Sequence, residues 1–372
     1  LYTLLIGGVA MDLYCFKVDG LKPGECLGVL DSYTSLNFTK SFQGCGSFTI
    51  KGNFTKGAAP LLQVGNLVYI NRRTSGIIHS IDYKTGEDGI TSYTVYGMEL
   101  KGILGYRIVW DTYNHNLPAN KWIEGLVQAN TQGNRALFSS IQEAQIACPN
   151  LDRQTSYTKL STAVTNACSA QPTSKGMLLG WDVLCDIDKG FTFTLVEGAD
   201  RSYESAEPLL VSRDMDNIST LELAVSDKNS ANVVKCGGEG DGSKRKFVTA
   251  GDFSKTGLDR REYFADKREL QSTYVDSSDN TKHMTDEEYT SLLQQEADAC
   301  LEGSSISMDA ETTAVRMDAV PLLGAKVTLM DRQFGVLADD YVTEINIIDE
   351  SQGEYTTLTV GKELTAKTLV LK

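Results

Sequence analysis

A chain of 372 residues has room for two or three domains and for a core that needs no disulfide or metal staple. Hydrophobic residues make up 41% and charged residues 23%, a globular composition that excludes a disordered chain. The formal net charge of -14 excludes a surface that grips the phosphate backbone of nucleic acid, which needs clustered Lys and Arg, but it suits a wall past which nucleic acid slides.

Leu1 to Ala10 is apolar like the core of a signal peptide but lacks the basic residues that should precede one, and Met11-Asp-Leu-Tyr-Cys-Phe-Lys-Val18 starts like a native first strand. Residues 1–10 are therefore expected to be appended or mis-assigned upstream sequence. No apolar run reaches the roughly 18 residues of a membrane-spanning helix, so no membrane insertion is expected.

Residues 11–110 read as β nearly throughout and are expected to form a first small barrel. Asp12 to Val18, Ser47 to Lys51 and Asn66 to Ile70 alternate apolar and polar residues, as a strand with one buried face must. Lys22-Pro-Gly24 turns, and Lys84-Thr-Gly-Glu-Asp-Gly89 has the chemistry of a hairpin turn. Gly102 to Trp110 closes the segment as an apolar strand, or as a short helix followed by strand.

Residues 111–206 read as an inserted α+β module. Pro118 opens a helix through Trp122, Ile123, Leu126 and Val127, because a proline in the first turn removes an N–H that would be unpaired there anyway. Ser156 to Cys168 is expected as a second helix, stopped by Pro172, and Trp181 to Ile187 with Phe191 to Val196 as a hairpin.

Residues 207–242 together with 314–372 are expected to form a second barrel, and 243–302 a peripheral excursion carrying one amphipathic helix. That helix opens on the capping box Thr285-x-x-Glu288, buries a stripe of Tyr289, Leu292, Leu293, Ala297, Cys300 and Leu301, and ends at Gly303. The fold class is thus β-rich α+β, with two related small barrels.

An internal echo relates the two. Val64-Gly-Asn-Leu-Val-Tyr-Ile70, Gly76 to Tyr83 and Tyr93-Thr-Val-Tyr-Gly-Met-Glu-Leu100 return as Leu323-Gly-Ala-Lys-Val-Thr-Leu329, Gly335 to Ile347 and Leu358-Thr-Val-Gly-Lys-Glu-Leu364. Each copy has a glycine entering a strand, a second strand, and a third that closes on Gly-x-Glu-Leu.

The chemistry-bearing residues form no constellation. Eight cysteines (Cys15, Cys26, Cys45, Cys148, Cys168, Cys185, Cys236 and Cys300) are scattered singly and read as free thiols in a reducing compartment. His79, His115 and His283 have no partner at metal-ligand spacing. No Gly-x-Ser-x-Gly elbow is present, and among 49 acidic residues no carboxylate pair stands out. Gly237-Gly-Glu-Gly-Asp-Gly242 lacks the Gly-Lys-Ser/Thr ending of a phosphate loop and carries two acids that repel phosphate, so it reads as a flexible strand connection. Lys244-Arg-Lys246 and Arg260-Arg261 read as salt-bridged surface or partner contacts. No catalytic, cofactor-binding or metal residue is assigned, no cofactor is expected, and the chain is read as no enzyme.

Val233-Val-Lys-Cys-Gly-Gly-Glu-Gly-Asp-Gly242 with Arg245, Gly257-Leu-Asp-Arg-Arg-Glu-Tyr-Phe264 and Asp266-x-Arg268-x-Leu270 resemble a tail-protein family of siphophages and prophages with the pattern "GGEGEG … R … SGLDRRE … D-x-R-x-L". Further matches are Asp31, Leu67-Val-Tyr69, Gly105 to Trp110, Gln154-x-Ser-Tyr157, Glu197-Gly-x-Asp-Arg201 and Leu323-Gly-x-x-Val-Thr328, so the resemblance covers most of the chain. At Asp318 to Ala325 the sequence departs from the family's Asp-Tyr-x-Leu-Gly-Asp. The family is similar to baseplate hub or tail-associated proteins, which implies a structural virion protein. By that resemblance it would form a homotrimer whose six barrels match a six-fold tube. Its implied partners are a tail tube or distal tail protein and a tail-tip or fibre protein, with DNA passing unbound and assembly in the bacterial host cytoplasm. The alternatives in view are a tail-borne cell-wall hydrolase and a receptor-binding, glycan-binding module.

Overall fold

The structure, a computed structural model, describes residues 11–361 apart from 269, 276–280, 303–306, 315–321, 334 and 351–352. Residues 1–10, Gly303, the start of the departure at Asp318, and Lys362 to Leu364 of the second echo lie outside the described residues. The chain divides into two compact units. The first takes the described residues within Leu1–Leu221, Glu311–Leu329 and Asp339–Val360, the second those within Glu222–Ala310, Met330–Ala338 and Gly361–Lys372.

The first unit opens with strands β1 (Leu13–Asp19), β2 (Lys22–Leu30), β3 (Tyr33–Ser41), β4 (Ser47–Asn53), β5 (Leu67–Asn71), β6 (Thr74–Thr85) and β7 (Thr91–Glu99). A mixed segment follows, made of β8 (Tyr113–Pro118), α1 (Ala119–Asn130), β9 (Ser140–Gln142), β10 (Asn150–Thr155), α2 (Leu160–Cys168), β11 (Leu179–Asp186) and β12 (Gly190–Glu197). The later strands are β13 (Asp200–Arg201), β14 (Leu210–Val211), β15 (Ile218–Ser226), β16 (Val233–Gly237), β17 (Phe247–Gly251), β18 (Glu262–Asp266), β19 (Thr273–Val275) and β20 (Thr281–His283). After α3 (Asp286–Glu302) come β21 (Ser307–Ala314), β22 (Lys326–Asp331), β23 (Val336–Glu350) and β24 (Gly353–Val360).

Strand order in the large sheet runs β15-β21-β24-β23-β3-β4-β7-β6-β5-β1-β2, with β22 paired to β23 off that path. Two groups of five share one order: β3-β4-β7-β6-β5 and β15-β21-β24-β23-β22. In each, two strands precede a meander whose last strand lies beside the second. β15 and β21 bring 218–221 and 311–314 to this unit.

The correspondence extends to single hydrogen bonds. The Gly65 N–H donates to the Ile78 carbonyl at 2.9 Å and the Ile78 N–H to the Asn66 carbonyl at 3.0 Å. In the second group Gly324 donates to Val342 at 2.7 Å and Val342 to Ala325 at 2.8 Å. Both glycines have positive φ, +91° and +84°, a conformation strained for any other residue. Each long strand then carries a bulge at the same place, between Ile78 and Ser80 and between Val342 and Glu344. Beyond the bulge Ile81 faces Val95 as Ile345 faces Leu358.

That register corrects the echo by one residue in its last strand. Gly97 corresponds to Val360 rather than to Gly361, because Val95 and Leu358, both fully buried, must share a face, and a one-residue slip would turn one of them to solvent. The two groups meet inside the unit where β23 pairs with β3, from Glu344 opposite Ser41 to Glu350 opposite Ser35. Among the described residues the path stays open, with no pairing that closes either group into a barrel.

The mixed segment builds the main core. Pro118 stands immediately before α1, whose Trp122, Ile123, Leu126 and Val127 are fully buried against Leu160, Val164, Trp181 and Phe193. The second helix is shorter than its periodicity suggests. Tyr157 donates to Val109, Val109 to Thr158 and Leu160 to Arg107, so 156–159 is tied to 107–109, with Tyr157 at positive φ, and helix begins only at Leu160. The segment after β7 is a 3-10 helix, Leu100–Tyr106.

An ion cluster lies at the junction of β3, β7 and β11. Lys40 donates to Glu99 at 2.7 Å and to the Arg73 carbonyl, and the other Glu99 oxygen accepts from the Gly46 N–H at 2.9 Å. Lys101 donates to the carbonyls of Ser41, Phe42 and Trp181 at 2.5, 3.2 and 3.0 Å. Burial alone would raise the Glu99 carboxyl, but Lys40, Lys101 and the Gly46 N–H hold it below its ordinary value. Burial would likewise lower Lys40, but Glu99 and Asp182 hold it above its ordinary value. The pair is therefore ionised, and every charge in the cluster has partners.

In the second unit β16 is central, antiparallel to β17 and parallel to β18. The capping box at α3 closes in both directions: Thr285 N–H donates to the Glu288 carboxylate at 2.8 Å, and Glu288 N–H to the Thr285 hydroxyl at 3.2 Å. One face of α3 buries Tyr289, Leu293 and Ala297 on Val234, Cys236, Val248, Ala250 and Ala265. β16 was legible as a strand, yet its partners are these local neighbours and not the second five-strand group.

Candidate functional site

The glycine-rich segment after β16 is a packed clasp, where its composition suggested a flexible connection. Arg245 returns over it and donates to the carbonyls of Gly238 and Gly237 at 2.8 and 2.7 Å and to the Asp266 carboxylate at 2.5 Å. A Cβ on Gly237 would meet the guanidinium at 2.8 Å, and one on Gly238 would meet the Tyr289 hydroxyl at 2.3 Å. The Glu239 N–H donates to the Tyr289 hydroxyl at 2.7 Å, which itself donates to the Leu270 carbonyl at 2.8 Å. A phosphate cradle needs free N–H groups around open space. Here the Gly238 and Glu239 N–H groups are taken, and Arg245 and Tyr289 fill the space.

The motif residues thus converge for a structural reason. Arg245, buried, ties the glycines to Asp266 on β18. Arg261 binds the Asp227 carboxylate at 2.5 Å and the Asp227 carbonyl at 2.8 Å, and Arg260 binds Glu262 at 2.6 Å. Lys246 pairs with Asp286 at 3.1 Å, so the two basic runs are largely salt-bridged.

Their convergence leaves one sheet face open. Alternation sends Val234, Cys236, Val248 and Ala265 under α3, and Lys235, Phe247 and Phe264 to the other side. There Phe247 and Phe264 stay 42% and 48% exposed, with the Arg245 guanidinium 5.6 and 5.4 Å from their ring centres and Lys235 4.7 Å from that of Phe247. In the adjoining Gly257–Asp259 turn Leu258 is 96% exposed, and Arg260 lies 5.8 Å from the ring centre of Phe253, itself half-exposed. Exposed aromatic side chains with cationic groups beside them on a sheet face are the composition of a protein contact surface.

The first unit offers a second surface, the edge of β6 past its bulge. β5 pairs with β6 only as far as Ile77, so 80–85 has β7 on one side and no strand on the other among the described residues. Tyr83 is half-exposed there, edge-on to Phe54 at 5.4 Å.

No chemical centre competes with these surfaces among the described residues. His79 meets Tyr106, His115 meets Tyr113 edge-on and His283 meets Thr273, in three separate places. No group of His, Cys, Asp and Glu there could hold a metal. The eight cysteines are free thiols, and burial pushes those of Cys168 and Cys185 up to about 12, where they are poor nucleophiles. A groove of about 460 Å³ beside α1 has its charges paired with each other, Lys121 with Glu124 at 3.0 Å and with Glu143 at 3.4 Å. No described helix is long and apolar enough to cross a membrane. Sequence reading missed Lys40, Glu99 and Lys101 because they lie far apart in the chain, and it missed the β6 edge because an unpaired edge has no local signature.

Comparison with known proteins agrees with this architecture. The family model described as Siphovirus ReqiPepy6 Gp37-like protein matches residues 23–362. No curated protein sequence matches. Among solved structures the chain is similar to the 43 kDa tail protein of prophage MuSo2 from Shewanella oneidensis, with TM-score 0.59, 12% identity, and 94% of this chain and 98% of that one covered. It is also similar to a tail protein from Neisseria meningitidis MC58, with TM-score 0.57, 13% identity and coverage of 94% and 95%. A third is prophage tail protein gp18 from Listeria monocytogenes EGD-e, with TM-score 0.53, 12% identity and coverage of 96% of each chain. At these identities the likeness is one of fold.

Proposed function

This chain belongs to the Siphovirus ReqiPepy6 Gp37-like family of phage tail proteins, a component of the virion, and on that premise we propose that it is a trimeric baseplate hub joining the tail tube to the tail tip. The observation that carries the reading is the doubled five-strand group, matched down to the Gly65 and Gly324 hydrogen bonds and the shared bulge. A chain with two equivalent groups lets three copies present six, the number a six-fold tube requires, and closed rotational symmetry is the usual state of homo-oligomers. On this reading the barrels close in the assembled ring.

The role is structural and not enzymatic. The open face of Phe247, Phe264 and Leu258 is the surface we assign to a tube, distal-tail or tip protein, because it is apolar, rigid and fringed with cations. The acidic balance suits a wall that DNA passes without adhering, since each exposed phosphate-binding cation would slow it by counterion release. Assembly in the bacterial host cytoplasm follows from the same role. Light scattering on the purified chain, alone and with its tube protein, tests the proposal: a trimer supports it, and a monomer under both conditions contradicts it.

A further inference from the structure

The two strand groups are equivalent in sequence of pairing but not in what covers them. Past its bulge β23 is sandwiched, with β24 on one side and β3 on the other. Its counterpart β6 has β7 in the place of β24 and, among the described residues, no strand in the place of β3. The strand equivalent to β3 in the second group is β15, and β15 ends the sheet path with β21 as its described neighbour. Each chain therefore has one filled junction, β23 with β3, and the two separated halves of another, β6 and β15.

We propose that β6 of one copy pairs antiparallel with β15 of the next, repeating between chains the junction that β23 and β3 make within one. The proposal rests on the ring assembly argued above and assigns its interface. Residue equivalence through the shared bulge puts Ser80, Ile81, Asp82, Tyr83, Lys84 and Thr85 where Glu344, Ile345, Asn346, Ile347, Ile348 and Asp349 stand.

Three observations support it. In the internal junction Phe42 N–H donates to the Thr343 carbonyl at 2.9 Å, so alternate residues from Thr343 turn their backbone groups to β3. Their counterparts His79, Ile81, Tyr83 and Thr85 turn theirs outward, along an edge of the kind that pairs with another chain. Burial differs in the sense expected of a surface awaiting a strand: Ile345, Ile347 and Asp349 are 0%, 9% and 6% exposed, while Tyr83 is 50% exposed and Thr85 is exposed. In sequence, Ser-Thr-Leu-Glu-Leu-Ala-Val-Ser at 219–226 aligns without a gap on Thr-Ser-Leu-Asn-Phe-Thr-Lys-Ser at 34–41, apolar residues again alternating. The partner this edge fits is thus a second copy of the chain, met head to tail, an arrangement that closes into a ring when the rotation allows.

The test is a cysteine pair across the inferred junction. Thr39 and Asn346 oppose each other internally, the hydroxyl donating to the amide oxygen at 2.6 Å, and their counterparts are Ala224 and Asp82. The full chain carrying Asp82→Cys and Ala224→Cys, mildly oxidised and digested, should yield a disulfide-linked peptide pair joining residues 82 and 224 of different chains, absent from either single variant. Tyr83→Pro, which removes one outward N–H and leaves the β7 ladder intact, should turn the oligomer to monomer while the monomer stays folded by circular dichroism. An oligomer that forms with no 82–224 link and survives Tyr83→Pro overturns this interface and leaves the ring reading standing. A chain that stays monomeric with its tube protein overturns both. If Tyr83→Pro fails to fold, the cysteine pair decides alone.

Discussion

Tyr83 and Ile347 hold the same position in the two strand groups, yet Tyr83 is 50% exposed and Ile347 9%. β3 lies along β23 at Ile347 and has no counterpart along β6 at Tyr83 among the described residues. Hydrogen exchange should register this. In dilute protein the amides of Ile81, Tyr83 and Thr85 should exchange far faster than those of Ile345 and Ile347, and assembly should slow them severalfold or more. Fast exchange that persists in the assembled state would place the subunit contact elsewhere.

The Lys40–Glu99 pair should be costly to break and cheap to replace. Lys40→Met leaves a buried carboxylate unpaired and should destabilise the chain by about 3–5 kcal/mol, as should Glu99→Leu, while the double variant should cost well under their sum. The pH dependence has a definite sign. Glu99 is lowered in the folded state, so its contribution is present above the unfolded carboxyl value, about 4.3, and is lost as pH falls through the folded one. Lys40 is raised, so its contribution is present below about 10.4 and is lost as pH rises through the folded value. The stability gap between wild type and Lys40→Met should narrow in acid, beginning above the ordinary carboxyl range because burial raises Glu99 once Lys40 is gone, and narrow again above about pH 10. Chemical denaturation across that range measures it, and a gap that grew in acid would contradict the assignment.

Gly324→Ala should destabilise more than Gly65→Ala, although the two glycines are counterparts. Both substitutions carry the strain of positive φ, about 1–3 kcal/mol. At Gly65 an added Cβ meets nothing within 4 Å, whereas at Gly324 it falls 2.2 Å from the Phe42 ring. Equal losses in denaturant midpoint would show that Phe42 moves aside freely.

Arg245→Lys should weaken the second unit, because a lysine has no fork with which to reach Gly237, Gly238 and Asp266 together. A loss of about 1–3 kcal/mol is expected from the carbonyls left without a partner. Calorimetry should show the loss in the transition that includes α3, and Gly238→Ala should act in the same direction through Tyr289.

Much of this was legible in the sequence, and the residues explain why. Local signals carried well: Pro118 before α1, the Thr285 and Glu288 capping box, the turn at Lys84 to Gly89, and the glycines that open each meander. Failures came where distant pairing overrode a local pattern. The run from Ser156 has helical spacing, but 107–109 claims its first backbone groups. The two Gly-x-Glu-Leu runs align in sequence, but a bulge and two buried side chains set the register one residue away. Gly237 to Gly242 looked like a loose connection because nothing nearby foretells that Arg245 folds back to fill it.

A further expectation concerns DNA. With a net charge of -14 the purified chain should not retard duplex DNA in a gel at physiological salt, and tight, salt-sensitive binding would contradict a wall that DNA passes freely.

The measurement that bears most directly on the hub reading is the mass of the purified 40.6 kDa chain in solution, by light scattering over a range of concentrations and with its tube protein. A closed trimer that Tyr83→Pro reduces to monomer is the expected result. A chain that remains monomeric throughout, tube protein included, would contradict it.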